Sequence, residues 1–210
     1  MTSPLIETAI YAFVTFFVVL DPLGMGPIFI ALTRGETPEF RRRMAIRGTI
    51  IAGIILLTFA FAGDFLLRAL GVSIAAFRIA GGILLFLISI DMLFARATPI
   101  RRTTARETEE AEAKHDISVF PLAIPLIAGP GGLTSTVLLM GRVEADPLLE
   151  AVVLAVMMLV LAIILIVLLA ADRVTRWLGE TGSNVVSRVL GIILAALAVQ
   201  FVIDGVRDAF

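Results

Sequence analysis

Cysteine is absent from this sequence, and histidine, tryptophan and tyrosine occur once each. Without cysteine there can be no disulfide, thiolate nucleophile or thiolate metal site. A single histidine, His115, leaves little imidazole to hold a metal, so no metal, no cofactor and no enzymatic activity are expected. Charge is also scarce: 17% of residues are charged, and 17 basic side chains face 18 acidic ones, which leaves no basic footprint for nucleic acid. The opening "MTSPLIETAIYAF" lacks the basic leader of a cleaved signal, so the first apolar run is expected to stay in the protein. "GMGP" and "GPGG" are not phosphate loops, because no Gly-Lys-Ser/Thr follows either.

What the chain has in excess is apolar side chains. They make up 59% of 210 residues, with a mean hydropathy of +1.03. A soluble domain of this size could not cover them with polar surface. The lipid bilayer is therefore the expected surroundings. Six apolar segments run over 5–33, 45–63, 77–95, 117–141, 148–171 and 185–206, each near the ~20 residues that span a ~30 Å hydrocarbon core. They are apolar on all sides, without the alternation of a barrel strand, so the expected class is an all-α membrane protein with six transmembrane helices. If all six cross, the loops 34–47, 96–116 and 172–188 share one side with 13 Lys/Arg against four, Arg68, Arg78, Arg142 and Arg207, on the other. The positive-inside tendency makes the richer side cytoplasmic and puts both termini outside, in a bacterial inner membrane periplasmic. Treating segments one and four as re-entrant hairpins gives 12 against five, so charge alone does not choose.

The chain also matches itself at an offset of 108 residues over 22–71. Pro22 falls on Pro130, Gly24 on Gly132, Arg34 on Arg142, Asp64 on Asp172, Arg68 on Arg176 and Gly71 on Gly179. Two inserted residues later, Arg78 falls on Arg188 and Gly81 on Gly191. Apolar coincidences are cheap in such a chain, so the polar and helix-breaking matches carry the weight. They divide it into a three-helix repeat at 1–95, a charged cytoplasmic linker at 96–116 and a second repeat at 117–210. Three crossings are an odd number, so the copies are expected to be inverted, an architecture of secondary transporters.

Segments one and four carry helix breakers. Pro22 and Pro27 leave carbonyls without donors, Gly24 and Gly26 permit a reversal, and the break is expected over 21–27 with a helix restarting near Pro27. In segment four Pro121, Pro125 and Pro130 act alike, with Gly129, Gly131 and Gly132 beside them and a restart near Gly132. Each restart presents N–H groups at the positive end of a helix dipole, which suits a carboxylate, and Thr134, Ser135 and Thr136 add hydroxyls. Asp21 is either a site for a substrate ammonium, a proton or Na⁺ as coupling ion, or a helix-capping Asp-Pro. Asp91, Asp204 and Gln200 are secondary candidates for a gate. The expected function is a secondary transporter, an exporter or exchanger of a small neutral solute by alternating access. The alternatives are a non-transporting scaffold and a passive channel or ion exporter.

The motifs "LDPLGMGPIFIALT" and "PLAIPLIAGPGGLTSTVLL" resemble the paired signatures of the MarC family of inner-membrane proteins. The resemblance spans the whole chain, in length, segment number, charged middle loop and motif order. It implies a possible transporter of small neutral amino acids. Gly26 stands where many relatives carry a larger polar residue such as asparagine, so no side-chain contact from that position is implied.

Overall fold

The computed structural model describes residues 3–94, 116–143 and 146–210. Apart from Asp116, the linker 96–116, with His115, lies outside the described residues, within which every regular element is helical. The elements are α1 (Pro4–Leu20), α2 (Pro22–Leu32), α3 (Pro38–Ala69), α4 (Ile74–Phe94), α5 (Ser118–Ile127, wide-turned and irregular), α6 (Pro130–Arg142), α7 (Pro147–Leu169) and α8 (Ala171–Ala209). Five of them begin on proline. A proline costs nothing at that position, where its missing N–H would have had no acceptor and its fixed φ is already helical. Thr37 caps α3 by accepting the Phe40 N–H, and Asp146 caps α7 by accepting those of Leu148 and Leu149.

Among the described residues, five helices are long and apolar enough to cross a membrane, with Pro4–Leu32 taken as one, and the pair Ser118–Ile127 and Pro130–Arg142, bent by 57°, makes a sixth if it is a single span. The outside is apolar where lipid would lie, with Ile54, Phe61, Phe65, Ile166 and Ile192 all exposed. That is the reverse of a soluble protein and follows from the composition.

Glycine lets α4 and α8 approach closely. α4 and α8 run antiparallel: a methyl group at Gly82 would meet the Ala198 carbonyl at 2.7 Å, at Gly191 it would meet Met92 Cβ at 3.0 Å, and at Gly205 it would meet Ile79 Cγ1 at 2.8 Å. In a lipid environment such small-residue seams replace the hydrophobic effect as the glue between helices. α3 lies against α7, where Gly53 faces Leu161, its own counterpart at an offset of 108. Gly71 and Gly179, another matched pair, both hold left-handed φ, +70° after α3 and +63° at a kink inside α8. A side chain at either would strain the backbone.

The charged ends sort into two groups. At the start of α3, Arg41 reaches both carboxylate oxygens of Asp172 at 3.1 Å and the Thr33 carbonyl at 3.2 Å, and Arg47 pairs with Asp116 at 3.7 Å. At the other group, Arg78 pairs with Asp208 and the Arg142 guanidinium lies over the Tyr11 ring, 4.3 Å from its centre. Asp64 and Arg68 form the i,i+4 pair their spacing predicts, at 2.7 Å. Asp172 and Arg176 do not repeat it, since Asp172 turns to Arg41 and Arg176 bonds the Asp172 backbone carbonyl instead.

Candidate functional site

The first break is narrower than the sequence implies. Only Asp21 leaves the helix, at φ 46° and ψ 64°, and α2 restarts on Pro22 rather than near Pro27. Gly24, Gly26 and Pro27 therefore lie inside α2. The reason is Asp21 itself: its buried carboxylate accepts the Gly24 N–H at 3.1 Å, capping the new helix, while its own N–H continues to the Phe17 carbonyl. Gly24 is glycine because the carboxylate folds over it, and a methyl group there would sit 2.2 Å from Oδ2. Gly26 faces Val167 and Thr175 across to α7 and α8, with room for a methyl group at 3.7 Å.

The second break is wider. Phe120 and Ile124 are extended inside α5, each preceding a proline in a cis peptide bond, and Gly129 is extended before α6. α6 restarts on Pro130, two residues ahead of the expected Gly132. No side chain caps it, so the leading N–H groups, those of Gly131 and Gly132 first, have no acceptor within the helix.

The two breaks touch. A methyl group at Gly131 would lie 3.1 Å from Val19 Cγ1, and one at Gly132 would lie 3.0 Å from Leu20 Cδ2, so the start of α6 is seated on the residues that precede Asp21. Beyond it, Thr134 packs on Gly81 of α4, and the Thr136 hydroxyl bonds the Gly132 carbonyl at 2.8 Å. The hydroxyl of Ser135, wholly buried, has no hydrogen-bond partner among the described residues. Thr15 of α1 is in the same condition. A buried hydroxyl left unpaired costs about 1–3 kcal/mol, so two of them near one contact call for a reason.

The secondary candidates are spread out. Gln200 donates to Asp204, one turn along α8, at 2.7 Å. Asp204 lines a cavity of about 220 Å³ with Tyr11, Arg78, Arg142, Arg207 and Asp208. Asp91 is buried within α4, and among the described residues one of its carboxylate oxygens has no hydrogen-bond partner. Arg78 pairs with Asp208. A second cavity, about 210 Å³, lies between Glu7, Tyr11, Leu139, Arg142 and Val153, and a third, about 330 Å³, lies at the opposite group of charges beside Thr33, Arg41 and Asp172. Sequence reasoning passed over Tyr11, Thr15 and Arg41, and gave Asp172 a different partner. Tyr11, the single tyrosine, and Arg142, already flagged by the repeat, were the signals available.

The family model of the MarC integral membrane proteins matches residues 6–210. The chain belongs to the MarC family. Among MarC relatives, it is 39% identical over 197 residues to a UPF0056 membrane protein of Archaeoglobus fulgidus, covering 94% of this chain and 91% of that one. It is 34% identical over 197 residues to one from Aquifex aeolicus, with the same coverage, and 33% identical over 198 residues to the UPF0056 membrane protein YhcE of Escherichia coli, covering 94% and 91%. No solved structure matches. This MarC protein is thus an integral, multi-pass membrane protein built from helices, and its relatives' names assign no substrate.

Proposed function

We propose that this MarC protein is a secondary transporter that moves a small neutral amino acid by rocking two inverted three-helix repeats about the point where their broken helices meet. The observation that carries the reading is the seating of Gly131 and Gly132 against Val19 and Leu20: the breaks of the two copies face one another, and uncapped N–H groups lie at the junction. The antiparallel α4–α8 seam, the Gly53–Leu161 contact between matched positions and the shared left-handed glycines 71 and 179 favour inversion. Six crossings fit the charged ends, since the bent pair begins beside Arg47 and ends beside Tyr11. On this reading the termini and Arg142 face outward and Arg41 faces the cytoplasm, in the plasma membrane.

In this reading the solute carboxylate meets the N-terminus of α6, and Asp21 takes the ammonium or a coupling H⁺ or Na⁺ when the junction opens and its cap to Gly24 is released. On this reading, the packed breaks correspond to an occluded state of the transport cycle. No enzymatic step is involved. The test is counterflow of labelled glycine, alanine and serine in proteoliposomes. Saturable exchange supports a carrier, flux without counterflow supports a channel, and neither would leave the broken helices as packing devices.

A further inference from the structure

The seam between α1 and α6 carries polar groups that the junction of the breaks does not use. Its register is fixed at two points, Val19 against Gly131 and Tyr11 against Arg142, and these make the helices antiparallel. Thr15 stands four residues from Val19 and Ser135 four residues from Gly131, so the two share the facing stripes and the register sets them opposite one another. Both are completely buried, and among the described residues neither hydroxyl has a partner. Thr33, Thr58 and Thr136 each bond the carbonyl four residues back, at 2.8 Å, whereas the buried hydroxyls of Thr49 and Thr175, elsewhere in the helices, also lack a partner among the described residues. One turn from this pair, Leu138 and Tyr11 line the cavity that holds Arg78, Arg142, Asp204 and Asp208, and Tyr11 and Arg142 also wall its neighbour. Arg142 is exposed and, among the described residues, forms no ion pair.

We propose that this seam is the solute's route between the outer face and the breaks, with Arg142 and Tyr11 at its entrance and the Thr15 and Ser135 hydroxyls as a carboxylate subsite midway. The proposal rests on the transport reading above. Two donors without acceptors suit a group that only accepts, which is what a carboxylate is. The entrance presents arginine and aspartate together, matching a zwitterion, and the Leu138 and Leu139 walls limit it to a small aliphatic side chain. Arg142 can exchange the Tyr11 ring for the incoming carboxylate, since a planar guanidinium pairs with either.

The cysteine-free sequence permits a direct test. Single-cysteine variants Ser135→Cys and Thr15→Cys are treated in membranes with an impermeant charged thiol reagent from each side, with Ala198→Cys, buried in the α4–α8 seam, as control. Both seam positions should react from the Tyr11 side only, and the control should not. L-alanine at about ten times its dissociation constant should slow the reaction about tenfold, and L-alaninamide, which has no carboxylate, should not. Ser135→Ala and Thr15→Val should each raise the KM for alanine about tenfold without lowering thermal stability, an outcome that a structural hydrogen bond would not give. Unreactive seam positions in a protein that exchanges alanine would refute the route and leave the transport reading standing. Reactive positions that alanine fails to protect in such a protein would refute the subsite. If the unmodified protein exchanges neither glycine, alanine nor serine, the transport reading fails and the subsite with it.

Discussion

The Asp21 carboxylate accepts the Gly24 N–H at 3.1 Å, so the residue that breaks the first membrane helix also starts the next one. Gly24 and Asp21 are a single device, because a methyl group at 24 would lie 2.2 Å from the carboxylate oxygen. Gly24→Ala should expel the carboxylate and destabilise the protein by about 1–3 kcal/mol. Asp21→Asn keeps an acceptor oxygen and should cost less than Asp21→Ala, which loses a cap of about 0.5–2 kcal/mol. Unfolding titrations of the three variants in mixed micelles check the order. Equal losses from Asn and Ala would show that the cap is not what holds the break.

Much of this was legible from sequence, and what was not has a definable reason. Spans, class and family followed from apolar run length and two motifs, since length and hydropathy are fixed by the bilayer. Pro22 and Pro130 were read as breakers when they are helix starts: a proline forbids the helix before it more than the helix after it. The break therefore shrank to Asp21, and Pro27 was absorbed within α2. Asp172 was assigned to Arg176 by spacing, whereas Arg41, distant in sequence, reaches it in space. The repeat flagged Arg142 but could not reveal that Tyr11 lies beneath it.

Glycines in the tight seams should be far less replaceable than those in loose ones. Gly82→Ala meets a backbone carbonyl at 2.7 Å, which cannot rotate away, and should cost about 1–3 kcal/mol. Gly53→Ala meets only the Leu161 side chain at 3.4 Å and should be close to neutral. Thermal melts of the two variants in one detergent give the comparison, and similar losses would contradict the seam geometry.

The Arg41–Asp172 pair joins α3 to α8 at the group of charges opposite Tyr11. Because Asp172 is largely exposed, the coupling in a double-mutant cycle should be small, about 0.2–1 kcal/mol. Removing the pair with Asp172→Asn should instead show in transport, as faster exchange from that side. An unchanged exchange rate would mean that the pair is not a closure.

Asp116 accepts the hydroxyl and the backbone N–H of Ser118, at 2.6 and 2.9 Å, and these bonds, the hydroxyl's first, hold its carboxyl below the usual carboxylate range. A depressed folded value contributes stability that is present above the unfolded pKa, about 3.9, and is lost as pH falls through the folded one. Between pH 7 and pH 3 the unmodified protein should therefore lose more thermal stability than Asp116→Asn. Parallel curves would remove the linkage.

The central claim is that the two breaks must move against each other for solute to pass. Val19→Cys combined with Gly131→Cys in the cysteine-free chain tests this, because a Cβ at 131 would lie 3.1 Å from the γ position of residue 19, close enough for a disulfide to close. Oxidation should stop counterflow of labelled alanine in proteoliposomes, and reduction should restore it. Exchange that continues unchanged with the cross-link fully formed would contradict the account.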